Sequence, residues 1–210
     1  MWMDDRSAHL DAVFGPVAES TRCALTWRRT VEEVVELGVE LAREGREGRK
    51  IGTLFVVGDV VNVLARSRQL LLDPLHGHDE SLLHVSLPEF RETVKELAQL
   101  DGAFVVDSGG TFVSAARYIE VDVASSEFFL PGLGTRHAAA ASISAATRAV
   151  AVVVSQSSVV RVFAGGEVRA EIIPELFLLS KQRFYAREAE VQLVPEAGVT
   201  VAVAGADPAA

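Results

Sequence analysis

Asp101-Gly102-Ala103 stands where a helical pattern gives way to an apolar strand pattern. A carboxylate placed there sits at the edge of a sheet, and the small residues after it let a ligand come close to the backbone. A second segment, Gly132-Leu-Gly134-Thr135-Arg136-His137, feeds an alanine-rich helix. Its glycines free the backbone, Thr135 is placed to cap the helix, and the exposed amides of a first helical turn attract an anion. Arg136 offers a planar fork matched to phosphate oxygens, and His137 can give a hydrogen bond or a proton. Each segment also has a plain structural reading. The first could be a helix stop before a strand, the second a capped helix start with a surface arginine. The glycine spacing is not a Rossmann fingerprint, because position 137 is His rather than Gly, and it is not a Walker loop.

Two further clusters carry less. Gly45-Arg-Glu-Gly-Arg-Lys50 combines glycines with cations, but no strand precedes it and no Lys-Ser/Thr follows, so it reads as a charged, solvated connector. His76-Gly-His78-Asp79 could hold a metal only with another ligand, which spacing does not supply, so it reads as a polar loop. Cys23 is the single cysteine, which leaves no intrachain disulfide and no multi-cysteine zinc site.

The elements that must position these residues follow from periodicity. Residues 1–29 lack a clean repeat and read as an N-terminal extension. From Thr30 the apolar positions Val31, Val34, Val35, Gly38, Leu41 and Ala42 share a helical face. Ile51–Val57 is a buried strand, Val60–Leu72 a helix, and Glu89–Leu100 a second amphipathic helix with Phe90, Val94, Leu97 and Ala98 inward. Gly102–Val106 and Thr111–Ala115 flank Asp107-Ser-Gly-Gly110 as a hairpin, Ala138–Thr147 is a helix, and Val150–Val154 is another buried strand. Val159–Phe163 and Glu167–Ile172 form a hairpin about Gly165-Gly166. Alternation of strands and helices early, with hairpins later, predicts an α/β fold: a central mixed β-sheet flanked by helices. The domain is expected over residues 30–180, with a C-terminal extension over 181–210 that frays from about residue 197, where small residues offer little to bury.

The chain has 210 residues, enough for one self-sufficient core, and its net charge of −9 excludes sequence-independent binding of nucleic acid, which needs cations to neutralise phosphates. Its apolar runs are far shorter than a membrane span, and the acidic start Met-Trp-Met-Asp-Asp-Arg is not a secretory signal, so the expected location is the cytoplasm.

Taken together, Asp101-Gly102-Ala103 and Thr135-Arg136-His137, each beside a buried strand, resemble the diadenylate cyclase domain, the N-terminal domain type of the DNA-integrity-scanning protein. The resemblance runs from about Val31 to Ile172 and takes in Ile51-Gly-Thr-Leu-Phe-Val-Val-Gly58, Ala98–Val106, Leu133–Ala139 and Val152-Val-Val-Ser155. It is closest to the soluble archaeal-type branch.

What the resemblance implies is the condensation of two ATP molecules into cyclic di-AMP with release of two pyrophosphates, at a face-to-face homodimer or within a higher homo-oligomer. By position, Asp101 would hold a divalent metal (Mg, Mn or Co) and help deprotonate the ribose 3′-hydroxyl. Gly102 and Ala103 would line the nucleotide and Ile119 would lie against adenine. Gly134, Thr135, Arg136 and His137 would hold the phosphates, with Ser155 assisting. Ala138 stands where the family commonly has a second arginine, and Gln156 where many relatives carry Glu. Those two departures define the alternative, a catalytically silent adenine-nucleotide-binding regulatory module. No membrane helix precedes the domain and no DNA-binding module follows it, so neither a membrane partner nor a nucleic-acid partner is expected.

Overall fold

The computed structural model describes residues 22–70, 72–121, 134–181, 189–194 and 199–204, and the chain divides into two units, Met1–Pro174 and Glu175–Ala210. In the first unit, seven strands form one sheet: β1 (Thr53–Val57), β2 (Ser67–Gln69), β3 (Ala103–Val106), β4 (Phe112–Ile119), β5 (Val150–Val154), β6 (Val160–Ala164) and β7 (Glu167–Ile172), ordered β2-β4-β3-β1-β5-β6-β7. The β1–β3 pair is parallel and the other pairs are antiparallel, so the sheet is mixed, as the pattern of elements predicts.

Both faces are covered, which is why the central strands read as unbroken apolar runs. On one face lies α1 (Arg22–Glu44), with Val31, Val34, Val35, Leu41 and Ala42 buried. Gly38 brings α1 close, since a Cβ there would stand 3.3 Å from a Val154 methyl. The rings of Phe55, Phe104 and Phe112 fill this face further along the sheet, with Phe90 of α3 (Pro88–Leu97) edge-on to Phe112. On the other face, α2 (Val60–Ala65) and α4 (Thr135–Ala146) contribute Val63, Ala140, Ala141 and Ile143 to a cluster with Leu54, Val56, Ala103, Val105, Ala151 and Val153. Alanines on α4 keep that helix near the sheet.

Three expectations are corrected. Helix α1 starts at Arg22 rather than Thr30, reaching into the segment read as an extension. Arg28–Glu32 and Arg29–Glu33 ion pairs one turn apart support that first stretch, a polar signal that a search for apolar periodicity passes over. The helix expected over Val60–Leu72 ends at Ala65, and the chain becomes the edge strand β2. Ser67, Arg68 and Gln69 pair with Ile119, Tyr118 and Arg117, and Arg117 Nε donates to Ser67 Oγ at 2.8 Å, so tertiary pairing overrides the helical pattern. The 45–50 connector is not simply solvated: Arg46 bonds the Glu92 carboxylate at 3.0 Å and Lys50 Nζ donates to the Ala42 carbonyl at 3.2 Å, tying the end of α1 down.

The β3–β4 hairpin forms where expected, its turn held by Asp107 Oδ1, which accepts from Gly109 N at 2.8 Å and Thr111 N at 2.9 Å. The chain also forms α5 (Pro174–Lys181) and, in the second unit, a hairpin of β8 (Ala189–Val194) and β9 (Val199–Ala204). The sequence reading anticipates no strand there, although Val199, Val201 and Val203 alternate with smaller residues at the period of a strand.

Candidate functional site

The two motifs meet at one edge of the sheet. Because β1 and β3 are parallel while β4 and β5 run opposite to them, the starts of β1 and β3 lie beside the ends of β4 and β5. Asp101 and Gly102 precede β3, Gly52 precedes β1, Ile119 ends β4, and Ser155 and Gln156 follow β5. Helix α4 begins against this edge: Arg136 Nη2 lies 3.5 Å from Asp101 Oδ1. A Cβ on Gly52 would stand 3.1 Å from Arg136 Nη1 and 3.3 Å from Gln156 Cγ, so the bare backbone there makes room for both side chains. Asp101 is open to solvent with 81% of its side chain exposed, and Arg136 is about half as exposed at 36%.

Gly102 has a reason of its own to be glycine. Its φ is +109°, and a Cβ would fall 2.5 Å from the Ala116 carbonyl carbon, inside the backbone of β4. Ala116 itself has φ 53°, and the β3–β4 register shifts between Ala103 and Val105. A bulge in β4 therefore packs against the Asp101–Ala103 corner. Ala103 is buried at 1% exposure, and Ile119 at 4% belongs to the core cluster on the α4 face, so each presents little surface to a ligand.

At the head of α4 the cap differs from expectation. Gly134 occupies the N-cap position with extended backbone (φ −75°, ψ 179°) and no side chain caps the helix, so Thr135 is the first helical residue rather than the cap. Gly134 and Thr135 are exposed, and among the described residues no atom beyond the chain neighbours lies within 4 Å of where a Gly134 Cβ would stand. His137 N already donates to the Gly134 carbonyl at 3.0 Å, so the amides of Thr135 and Arg136 are the ones left without an intrahelical acceptor at this exposed helix start. Gly132 and Leu133 lie outside the described residues.

His137 is different in kind. It is buried, its ring is edge-on to Phe163 with centroids 6.1 Å apart, and its Nε2 is 3.2 Å from Arg161 Nη1. Burial, then the cations Arg161 and Arg136, push its pKa below the ordinary imidazole value, against a smaller opposing pull from Glu171. Ser155 Oγ is engaged in its own turn, 2.8 Å from Ser157 Oγ and accepting from Ser157 N at 3.2 Å. Sequence reasoning assigned no role to Gly52 or Arg161. The signal for Arg161 is a lone cation between Val160 and Val162 in an interior strand, which the sheet must bury or pair.

Among the described residues no group of three or more His, Cys, Asp or Glu converges as a metal cage. The donor set is one open carboxylate beside an anion-attracting helix start. That fits a hard divalent cation, which keeps waters and is shared between one or two carboxylates and substrate phosphates. No described helix is long and apolar enough to cross a membrane.

Residues 40–168 match the family described as DisA bacterial checkpoint controller nucleotide-binding (DAC). Two curated relatives carry the name diadenylate cyclase. One, from Methanocaldococcus jannaschii, is 44% identical over 72% of this chain and 48% of its own length. The other, from Haloferax volcanii, is 39% identical over 70% of this chain and 54% of its own. The chain thus spans about half the length of these relatives. A solved structure of a hypothetical membrane spanning protein from Bacillus cereus has the same fold, with a TM-score of 0.51 and 21% identity over 76% of this chain and 67% of that one.

Proposed function

The chain belongs to the DAC, or diadenylate cyclase, domain family, and from that membership we propose that it is an enzyme that condenses two ATP molecules into cyclic di-AMP and releases two pyrophosphates. The observation that carries the reading is the meeting of Asp101 with Arg136 at the open start of α4, beside the bare backbone of Gly52. A metal-ready carboxylate and a phosphate-ready guanidinium are the two things a nucleotidyl transfer needs in one place.

In each of the two transfers, a ribose 3′-oxygen forms a bond to the α-phosphorus of the other ATP. The bond from that phosphorus to the β-phosphate bridging oxygen breaks, pyrophosphate leaves, and the hydroxyl gives up its proton. Asp101 would hold a divalent cation, which when bound would supply Lewis acidity that lowers the hydroxyl pKa and offsets phosphate charge. The Arg136 guanidinium and the amides of Thr135 and Arg136 would be preorganised donors for the charge that builds on the phosphoryl oxygens. Two such subunits, face to face, would replace a chance encounter of two nucleotides by positioning. Gln156 lies at the same corner as Arg136, where a Glu would have supplied a second carboxylate. That neutral amide is the observation favouring the alternative of a silent nucleotide-binding module.

The test is incubation with ATP and Mg²⁺, Mn²⁺ or Co²⁺ in turn, with cyclic di-AMP followed by mass spectrometry. Product from the wild type and none from Asp101→Asn is expected. A folded protein that binds a nonhydrolysable ATP analogue yet makes no product with any of the metals would establish the silent module instead.

A further inference from the structure

We propose that Arg161 is a positioning residue for His137, fixing its ring as the neutral tautomer that carries its proton on Nδ1. The guanidinium has donors and no acceptor, so across the 3.2 Å Nη1–Nε2 contact the arginine donates and Nε2 accepts. A ring nitrogen that accepts carries no hydrogen, and the neutral ring then has its single proton on Nδ1. Any hydrogen bond the ring gives to a phosphate oxygen therefore comes from Nδ1.

The contact is built from both sides. Arg161 and Phe163 are two apart on β6, so they share the face that α4 covers, and Phe163 braces the ring edge-on at 6.1 Å. Arg161 stands directly across from Glu171 in the β6–β7 register, and its Nε donates to Glu171 Oε2 at 2.7 Å. The carboxylate holds the fork by Nε, which leaves Nη1 aimed at the imidazole. The charged groups facing His137 are Arg161 from β6, Arg136 from its own helix and Glu171 from β7. Two cations against one carboxylate, with the residue 8% exposed, oppose a second proton on the imidazole.

The proposal rests on the nucleotide reading only in naming a phosphate as the acceptor, because the tautomer belongs to the protein alone. Two-bond ¹H–¹⁵N correlation spectra of the labelled full chain near neutral pH, with His137 assigned by the signal lost in His137→Gln, read it directly. The expected spectrum shows a protonated Nδ1 and an unprotonated Nε2 in the wild type. Arg161→Met should shift the ring toward the Nε2–H form, and Arg161→Lys, which keeps a donor, should retain much of the original tautomer. In turnover assays Arg161→Met should lower kcat roughly tenfold with KM for ATP within about twofold, the scale of effect seen when a histidine's orienting partner is lost. A wild-type ring protonated on Nε2 overturns the proposal, and that spectrum decides even if Arg161→Met fails to fold. A tautomer change in Arg161→Met with kcat unaltered overturns the positioning role. If the wild type makes no cyclic di-AMP, the cyclase reading fails, and the wild-type spectrum still upholds or overturns the hold of Arg161 on the ring.

Discussion

Asp101 and Arg136, which the chain places in separate motifs, meet across the sheet edge with Oδ1 and Nη2 3.5 Å apart. An ion pair this exposed adds little to stability, so its meaning lies in what each partner does when a nucleotide arrives. Arg136 is shared between the carboxylate and the space beside Gly52. A triphosphate that draws the guanidinium away leaves Asp101 free for a cation. Arg136→Met should therefore lower kcat/KM for ATP by about 10- to 150-fold, the loss of a charge-assisted contact of about 1.5–3 kcal/mol, with the melting temperature almost unmoved. Steady-state kinetics and a thermal melt check both halves.

Gly102 and Gly134 flank the same site but should respond very unequally to alanine. At Gly102 the left-handed φ of +109° and the 2.5 Å approach to the Ala116 backbone leave no room for a Cβ. Gly102→Ala should cost about 3 kcal/mol or more, seen as a lower urea midpoint or as insoluble protein. Gly134 has φ −75°, and among the described residues nothing beyond its chain neighbours lies within 4 Å of the added carbon. Gly134→Ala loses only cap preference, about 0.5–1 kcal/mol. Equal destabilisation by the two would contradict the β4 bulge as the reason for Gly102.

How far the sequence discloses this site depends on what kind of fact each part is. The strands around the site are buried on both faces, so their residues read as apolar runs whatever the partners, and the mixed sheet follows from their order. The motifs are legible because Asp, Arg, His and Gly at element junctions carry chemical meaning singly. What the sequence does not disclose is pairwise. That Ser67–Gln69 leaves its helix for an edge strand is decided by Arg117, far along the chain. That Arg161 serves His137 is decided by a register between β6 and β7 and by the face α4 covers. Local patterns hold no record of either.

The lowered pKa of His137 fixes the sign of a pH effect. In the unfolded chain the imidazole takes its proton near pH 6.5, and in the folded protein burial, Arg161 and Arg136 hold that value lower. Between the two values the unfolded state binds more protons. Folding stability from this group is therefore level above about pH 6.5 and falls as pH drops through the folded value. Urea midpoints measured near pH 7.5 and pH 5.5 should separate more in the wild type than in His137→Gln. A variant that loses as much stability on acidification as the wild type would show that another group carries the effect.

On the opposite face of the sheet, Lys95 offers a control in which stability and activity part company. Its side chain is 4% exposed and bonds Glu92 at 2.7 Å, Glu40 at 3.0 Å and Glu44 at 3.2 Å, locking α3 to α1. Burial would depress the ammonium pKa, but the Glu92, Glu40 and Glu44 contacts outweigh it and the net shift is upward. Its contribution is accordingly intact at neutral pH and is lost only as pH rises through the folded value, above about 10.5. Lys95→Met should cost about 1–3 kcal/mol, moderated because Arg46 still pairs with Glu44 and Glu92 and Arg91 with Glu40. Activity per folded molecule should be unchanged below the melting transition.

The proposed pairing of two subunits can be tested without a structure of the pair. Each subunit presents one carboxylate–guanidinium corner and one helix start, which accounts for one ATP and not for two. A ring with two phosphodiester bonds needs two transfers, and in the proposed pairing each joins nucleotides held on different chains. Activity should therefore follow the concentration of the dimer and not that of the chain. Well above the dissociation constant, specific activity is constant. Below it, the dimer fraction falls in proportion to protein concentration, so halving the protein should nearly halve specific activity and quarter the total rate. Saturating ATP would shift the midpoint of this fall to lower protein if nucleotide strengthens the pairing, and the quadratic limb would remain. A specific activity that stays flat into the range where sedimentation shows only single chains would mean that one subunit closes both bonds, and the face-to-face arrangement would have to be abandoned.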